Sequence, residues 1–179
     1  QLDKALIPQV LINHDYDRTT SHIISCQEHD ELIVKPFSQA NDHEKILIKQ
    51  LRYNLVDESK DRLTLLHQAA TSEGILVIIP AHTTIEKPIE INSAYESNGF
   101  AHLIVVAKTG SKATIQRKIS ETGGQEKGLL CEVVEVHVEE HAQITINEHQ
   151  QLGEHTVYYA QKKARAGPQG SVRWYCHNT

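Results

Sequence analysis

The chain contains no methionine, one tryptophan and two phenylalanines among its 179 residues, and aromatic side chains make up only 5%. A core must therefore be built from Val, Ile, Leu and Ala. With no methionine at position 1, Gln1 is not a translation start, so the chain reads as a processed or excised piece. Basic charge is also short. The 18 Lys and Arg face 23 Asp and Glu, a formal net charge of −5. No excess is left to neutralise phosphates, which argues against nucleic-acid binding. Purely apolar runs reach only about half a dozen residues, far below the ~20 that span a bilayer. The N-terminal Gln-Leu-Asp-Lys lacks the basic-then-apolar layout of a signal peptide. Cysteine is scarce and odd in number: Cys26, Cys131 and Cys176. Their wide spacing argues against a secreted disulfide framework and for the cytoplasm.

What is present divides at about residue 75. Within 1–74 the segment 31-ELIVKPF-37 reads as a short strand stopped by Pro36, between the loop-like 13-NHDYDRTTSH-22 and 38-SQANDHE-44. Ile46, Leu47, Leu51, Leu55 and Val56 recur at helical steps and predict a helix over about 43–56. A second helix, around 59–72, has start residues in Asp57, Glu58, Ser59 and Asp61. Its apolar face carries Leu63, Leu66, His67 and Ala70, and Gly74 stops it. His67 on that face reads as a packing residue.

From Ile75 the helical period is gone. Short extended candidates follow at 75–79, 84–91, 102–107, 113–119, 130–138, 142–149, 156–161 and 171–176, separated by glycine-bearing turns. Such spacing predicts an all-β architecture over 75–179. The stretches 110-GSKATI-115, 141-HAQITI-146 and 169-QGSVRW-174 share one small-polar-apolar pattern, at offsets of 31 and 28 residues. Repeats of two short strands predict a solenoid, with a β-sandwich as the alternative. Alternation puts Val134, Val136 and Val138 on one face and Glu135, His137 and Glu139 on the other. Pro80 is expected to close a strand at a corner, and Pro88 to forfeit one ladder donor near a sheet end.

The run 65-LLHQAATSEGILVIIPAHTTIEKPIEI-91 resembles the helix-to-core junction of the SufB/SufD family. The resemblance is carried by Ala69-Ala70, by Gly74 through Pro80 and by Glu86-Lys87-Pro88-Ile89. It continues through 102-HLIVVAKTGSKATI-115, then through Glu135, Ala142, Gln150 or Gln151, and Lys163-Ala164-Arg165-Ala166. It covers roughly 43–179. The resemblance implies a right-handed parallel β-helix flanked by helical segments and a part in iron–sulfur cluster assembly. In that family SufC is the ATPase, SufB the scaffold and sulfur acceptor, and SufD its paralogous partner. SufB-type chains carry a Glu-Gly-Cys-Ser/Thr-Ala-Pro element where this chain has 120-SETGGQEKGLL-130, without cysteine. A SufD-like identity is therefore expected. Family members run further, through the SufC-binding region, so the chain is expected to be the N-terminal half of such a protein or a short relative. A non-enzymatic scaffold acting by protein–protein interaction follows, with any iron or cluster held only in the assembled complex. The β-helix end near Thr179 is expected to be uncapped and to support homo-oligomerisation.

Candidate metal ligands are Cys131 and His137, a thiolate and an imidazole of suitable chemistry. Six residues apart on an extended strand, they are about 20 Å from each other and need other strands to share an ion. Cys176 and His177 are neighbours that point to opposite faces, as do Tyr158 and Tyr159. Glu132, Glu135, Glu139 and Glu140 read as a solvated face. Their alternative is a carboxylate cluster of a β-helical polysaccharide-active enzyme, which needs pairs at acid/base distances. Lys162, Lys163 and Arg165 read as solvent-facing. Gly123-Gly124 and 167-GPQG-170 lead into no Lys-Ser/Thr pair and are not phosphate loops.

Overall fold

The computed structural model describes residues 21–26, 28–57, 61–95, 99–122 and 128–178. Strands β1 (Ser21–Ser25) and β2 (Ile33–Pro36) precede helices α1 (Asp42–Leu51) and α2 (Arg62–Ala70). Eight strands follow: β3 (Ile75–Ile79), β4 (Ile89–Tyr95), β5 (Gly99–Ala107), β6 (Lys112–Glu121), β7 (Gly128–Val138), β8 (Gln143–Gln151), β9 (Thr156–Ala166) and β10 (Ser171–Asn178).

These eight strands alternate between two sheets, ordered β3-β5-β7-β9 and β4-β6-β8-β10, with every pairing among them parallel. The architecture is a parallel β-solenoid of two-strand rungs. Register confirms the sequence repeat: Lys112 pairs Gln143, and Gln143 pairs Ser171. These are the offsets of 31 and 28 seen in the quoted stretches. The N-terminal region contributes two further strands, β1 antiparallel to β4 and β2 antiparallel to β3.

Inward residues form the core. Ile75, Val77, Leu103, Val105, Val134 and Val136 of one sheet meet Ile89, Ile91, Ile115, Ile144 and Ile146 of the other. Strand β5 is buried at every position because its outer face is covered as well. Leu63 and Leu66 of α2 pack on Phe100, Leu129 and Cys131, while Ile48 of α1 and Phe37 pack near Leu76, Ile104 and Val106. Gly74 permits this close approach, since a Cβ there would lie 2.4 Å from Phe37 Cε2 and 2.5 Å from the His102 carbonyl oxygen.

Both helices are shorter than the periodicity suggests. Asn41 opens α1 with a capping box: its side chain accepts from Glu44 N at 2.9 Å, and Glu44 accepts from Asn41 N at 2.7 Å. The helix ends at Leu51 because Tyr53 adopts φ 58° and Leu55 turns its N–H to a carboxylate on β7. Asp61 caps α2 by accepting from Thr64 N at 2.9 Å. The strand expected over 84–91 is corrected too. Thr84 makes only an isolated bridge to Lys112, and β4 starts at Ile89, after Pro88. Pro88 therefore forfeits no ladder donor within a strand, whereas Pro80 follows β3 as expected.

Candidate functional site

Most of the inward positions are apolar, with one charged exception. Ile91, Arg117, Glu148 and Cys176 form one registered column across β4, β6, β8 and β10. Glu132 of β7 and Lys162 of β9 face this column from the other sheet. Arg117 Nη1 donates to Glu148 at 2.9 Å and to Glu132 at 3.4 Å, and its Nη2 donates to Glu132 in a further short contact. Tyr158 donates to Glu132 at 2.7 Å, and Lys162 donates to Glu148. Gln150 also donates to Glu148. Two cations thus meet two carboxylates inside the solenoid, and each carboxylate has more than one donor.

Pairing of this kind holds charge where burial would expel it. Burial pushes the Glu132 carboxyl up, but the Arg117 charge and hydrogen bond, with Lys162 and Tyr158 behind them, hold it below the usual carboxylate range. Arg117 is driven higher than an ordinary guanidinium because both carboxylates outweigh its burial. Lys162 also lies 5.4 Å from the Tyr158 ring centroid and 5.8 Å from that of Trp174. Arg117 Nε and Trp174 Nε1 are buried without a hydrogen-bond partner. The Cys176 thiol, exposed at the end of the column, is raised by its partial burial and by Glu148 against the opposing pull of Lys162.

A second buried group lies on the opposite face of β7. Glu135 accepts from Tyr53 N and Leu55 N, both at 2.6 Å, and from His102 Nε2 at 2.9 Å. His67, buried as expected for a packing residue, contacts the Ala101 carbonyl oxygen at 2.7 Å and the Tyr53 hydroxyl at 2.7 Å. This group fastens the α1–α2 layer to the solenoid.

The sequence candidates fall in different surroundings. Cys131 lies under α2, its thiol donating to the Leu63 carbonyl at 3.6 Å, and burial pushes it up to about 12. His137 is half-buried in a groove of about 370 Å³ beside Leu47 and Arg165. Both project from the outer face of β7, and Val133 and Glu135 stand between them. Among the described residues, no group of three His, Cys, Asp or Glu side chains is arranged to hold a metal ion. The acidic run is not one solvated face: Glu132 and Glu135 are 1% and 0% exposed, whereas Glu139 is half-buried and Glu140 is exposed as expected. Glu132 shares parity with inward Val134, and Glu135 does not, a signal that alternation alone carried. Lys162 likewise turns inward, while Lys163 and Arg165 are exposed. Cys176 and His177 do point to opposite faces, as do Tyr158 and Tyr159, which donate to Glu132 and Asp61. Gly123 and Gly124 lie outside the described residues.

The fold and its paired interior charges define a β-solenoid protein with a polar cluster built into its core. Residues 90–179 match the family described as SUF system FeS cluster assembly, SufBD core domain. That match spans half of the chain, and the chain belongs to this family, whose role is iron–sulfur cluster assembly. No curated protein matches the chain. No helix among the described residues is long and apolar enough to cross a membrane.

Proposed function

We propose that the chain serves as a SufD-like, non-catalytic scaffold subunit of an iron–sulfur cluster assembly complex, with SufB-like and SufC-like partners. The family match over 90–179 carries this reading. The absence of cysteine from 120-SETGGQEKGLL-130 favours the SufD-like side, because a sulfur acceptor needs a thiol there. Stacked rungs make a rigid platform, and strand edges are ready templates for pairing with another chain. Iron or the cluster is cargo of the assembled complex in this reading. Contact with a SufC-like ATPase is part of this reading, and homo-association through the β10 edge is a further expected mode. Thr179 itself lies outside the described residues.

The carboxylates that a polysaccharide-cleaving site would use are otherwise engaged. Glu132 is paired with Arg117, and Glu139 contacts Lys108 at 3.1 Å and Thr109 N at 2.9 Å. The test is co-expression of the full gene product with SufB-like and SufC-like proteins from the same source. A stable complex that raises cluster yield is expected. Failure to co-purify, with cleavage of pectin-like polymers by the chain alone, would overturn the reading. Light scattering on residues 1–179 separately reports homo-association.

A further inference from the structure

We propose that His149 and His177 form a binding site for a first-row divalent transition-metal cation on the outward face of the β8–β10 pair. The two residues are register partners in adjacent parallel strands. Such strands lie ~4.8 Å apart, and register partners share a face. Their preceding neighbours, Glu148 and Cys176, register in the inward column, so both imidazoles face outward. Metal–imidazole bonds of ~2.0–2.1 Å allow two rings rooted this close to converge on one ion.

The surroundings favour that use. Both histidines line a groove of about 280 Å³ on this sheet, together with Glu90, Lys118 and Asn147. Asn147 lies two positions before His149, on the same face, and offers an amide oxygen as a third donor. Two imidazoles and an amide oxygen suit nickel, copper, zinc or cobalt better than magnesium or calcium. Lys118 is the register neighbour of His149 on β6 and opposes a cation, while Glu90 in the same groove offsets that charge. Pairing of a further strand onto β10 would leave both rings open, because they point out of the solenoid. The inference rests on register and on the groove that both histidines line, and is independent of the cluster-assembly reading.

The test uses the 179-residue chain and Ni²⁺ in calorimetric titration, followed by Cu²⁺ in electron paramagnetic resonance. His149→Ala and His177→Ala are each expected to weaken one site by at least ~10-fold, since losing even a partner that only orients a metal ligand costs about that much. His155→Ala, at an exposed turn, is the control for a chain with 12 histidines. Copper spectra are expected to show two imidazole nitrogens in the parent chain and one in each variant. A readout that needs no variant accompanies these: bound Ni²⁺ should protect His149 and His177 together from diethylpyrocarbonate in peptide mass spectra. Equal affinity in all chains, or modification of the two histidines unaffected by Ni²⁺, overturns the proposal.

Discussion

Glu135 on β7 accepts the backbone N–H of Tyr53 at 2.6 Å, across 82 residues of chain. The same carboxylate takes Leu55 N at 2.6 Å and Val56 N at 3.3 Å. It thus satisfies, from the solenoid, the backbone N–H groups of the turn that follows α1, which have no helical acceptor. Glu135→Ala leaves those donors and His102 unsatisfied in a buried place. The expected loss is about 3–5 kcal/mol, measured by urea unfolding. Glu135→Gln keeps one acceptor oxygen and should lose less. Increased proteolysis around 52–57 should accompany either change, and equal losses in the two variants would argue against this anchoring role.

Acid should weaken the fold in two stages. Burial holds the His67 imidazole down to about 3, and burial also holds His102 below its ordinary value despite the opposing pull of Glu135. Both are neutral in the folded chain, while the unfolded chain takes up protons below about pH 6.5. Stability is therefore full above that pH and falls below it, by roughly 1.4 kcal/mol per pH unit for each such histidine. The carboxylates act lower. Burial pushes Glu132 and Glu135 up, but Arg117 and His102 respectively lead the groups that hold them below the ordinary range. Their contribution is present above the unfolded value of about 4.3 and is lost as pH falls through the folded values. Urea midpoints between pH 7 and pH 5 report the histidine stage, and His67→Gln should flatten that slope.

The interior cluster is expected to behave as a unit. Arg117→Met leaves Glu132 and Glu148 to share Lys162, at a cost of about 3–5 kcal/mol. Arg117→Met combined with Glu132→Gln restores a balanced Glu148–Lys162 pair and should recover a coupling of about 1–3 kcal/mol. Arg117→Lys cannot reach both carboxylates as a fork does and should also destabilise. Additive losses in the double variant, measured by the same unfolding assay, would refute the coupling.

Cysteine chemistry separates the three thiols. Cys131 is fully buried and held at about 12, so it is almost entirely protonated at pH 8. Cys26 and Cys176 are exposed. A chromogenic disulfide reagent should label those two in the folded chain and Cys131 only on unfolding. Fast labelling of three thiols in native buffer would contradict the placement of Cys131 beneath α2.

The repeat was legible because inward positions alternate with polar ones, so Ala113, Ile144 and Val172 align by eye before any register is known. The burial of Glu132 and Glu135 on the two faces of β7 was half-legible. Parity separates Glu132 from Glu135, but only the sheet packing shows that the outer face of β7 is covered as well. The short α1 was not legible, since Leu55 and Val56 keep a helical period while a carboxylate 80 residues away takes Leu55 N. The His149–His177 pair was invisible for a similar reason: 28 residues separate two neighbours, and only strand register brings them together.

Register also stacks the corners. His82, Gly110, His141 and Gln169 occupy equivalent turn positions, and all have positive φ, between 53° and 65°. His82 N donates to the Thr109 carbonyl at 2.8 Å, Gly110 N to Glu140 at 2.9 Å, and His141 N to Pro168 at 3.0 Å. The turns thus form their own hydrogen-bonded ladder, which requires the left-handed conformation whether or not the residue favours it. A non-glycine residue there costs about 1–2 kcal/mol, partly offset by the entropy that glycine loses. Gln169→Gly and His141→Gly should each stabilise the fold by about 0.5–1 kcal/mol. Gly110→Ala should destabilise it by about 1–2 kcal/mol, because φ is positive and the new Cβ would lie 2.8 Å from His82 Nδ1. Repeating Gly110→Ala in a His82→Ala background separates the two causes. The backbone cost persists there and the steric part disappears, so an unchanged penalty in thermal or urea unfolding would show that the His82 contact contributes nothing.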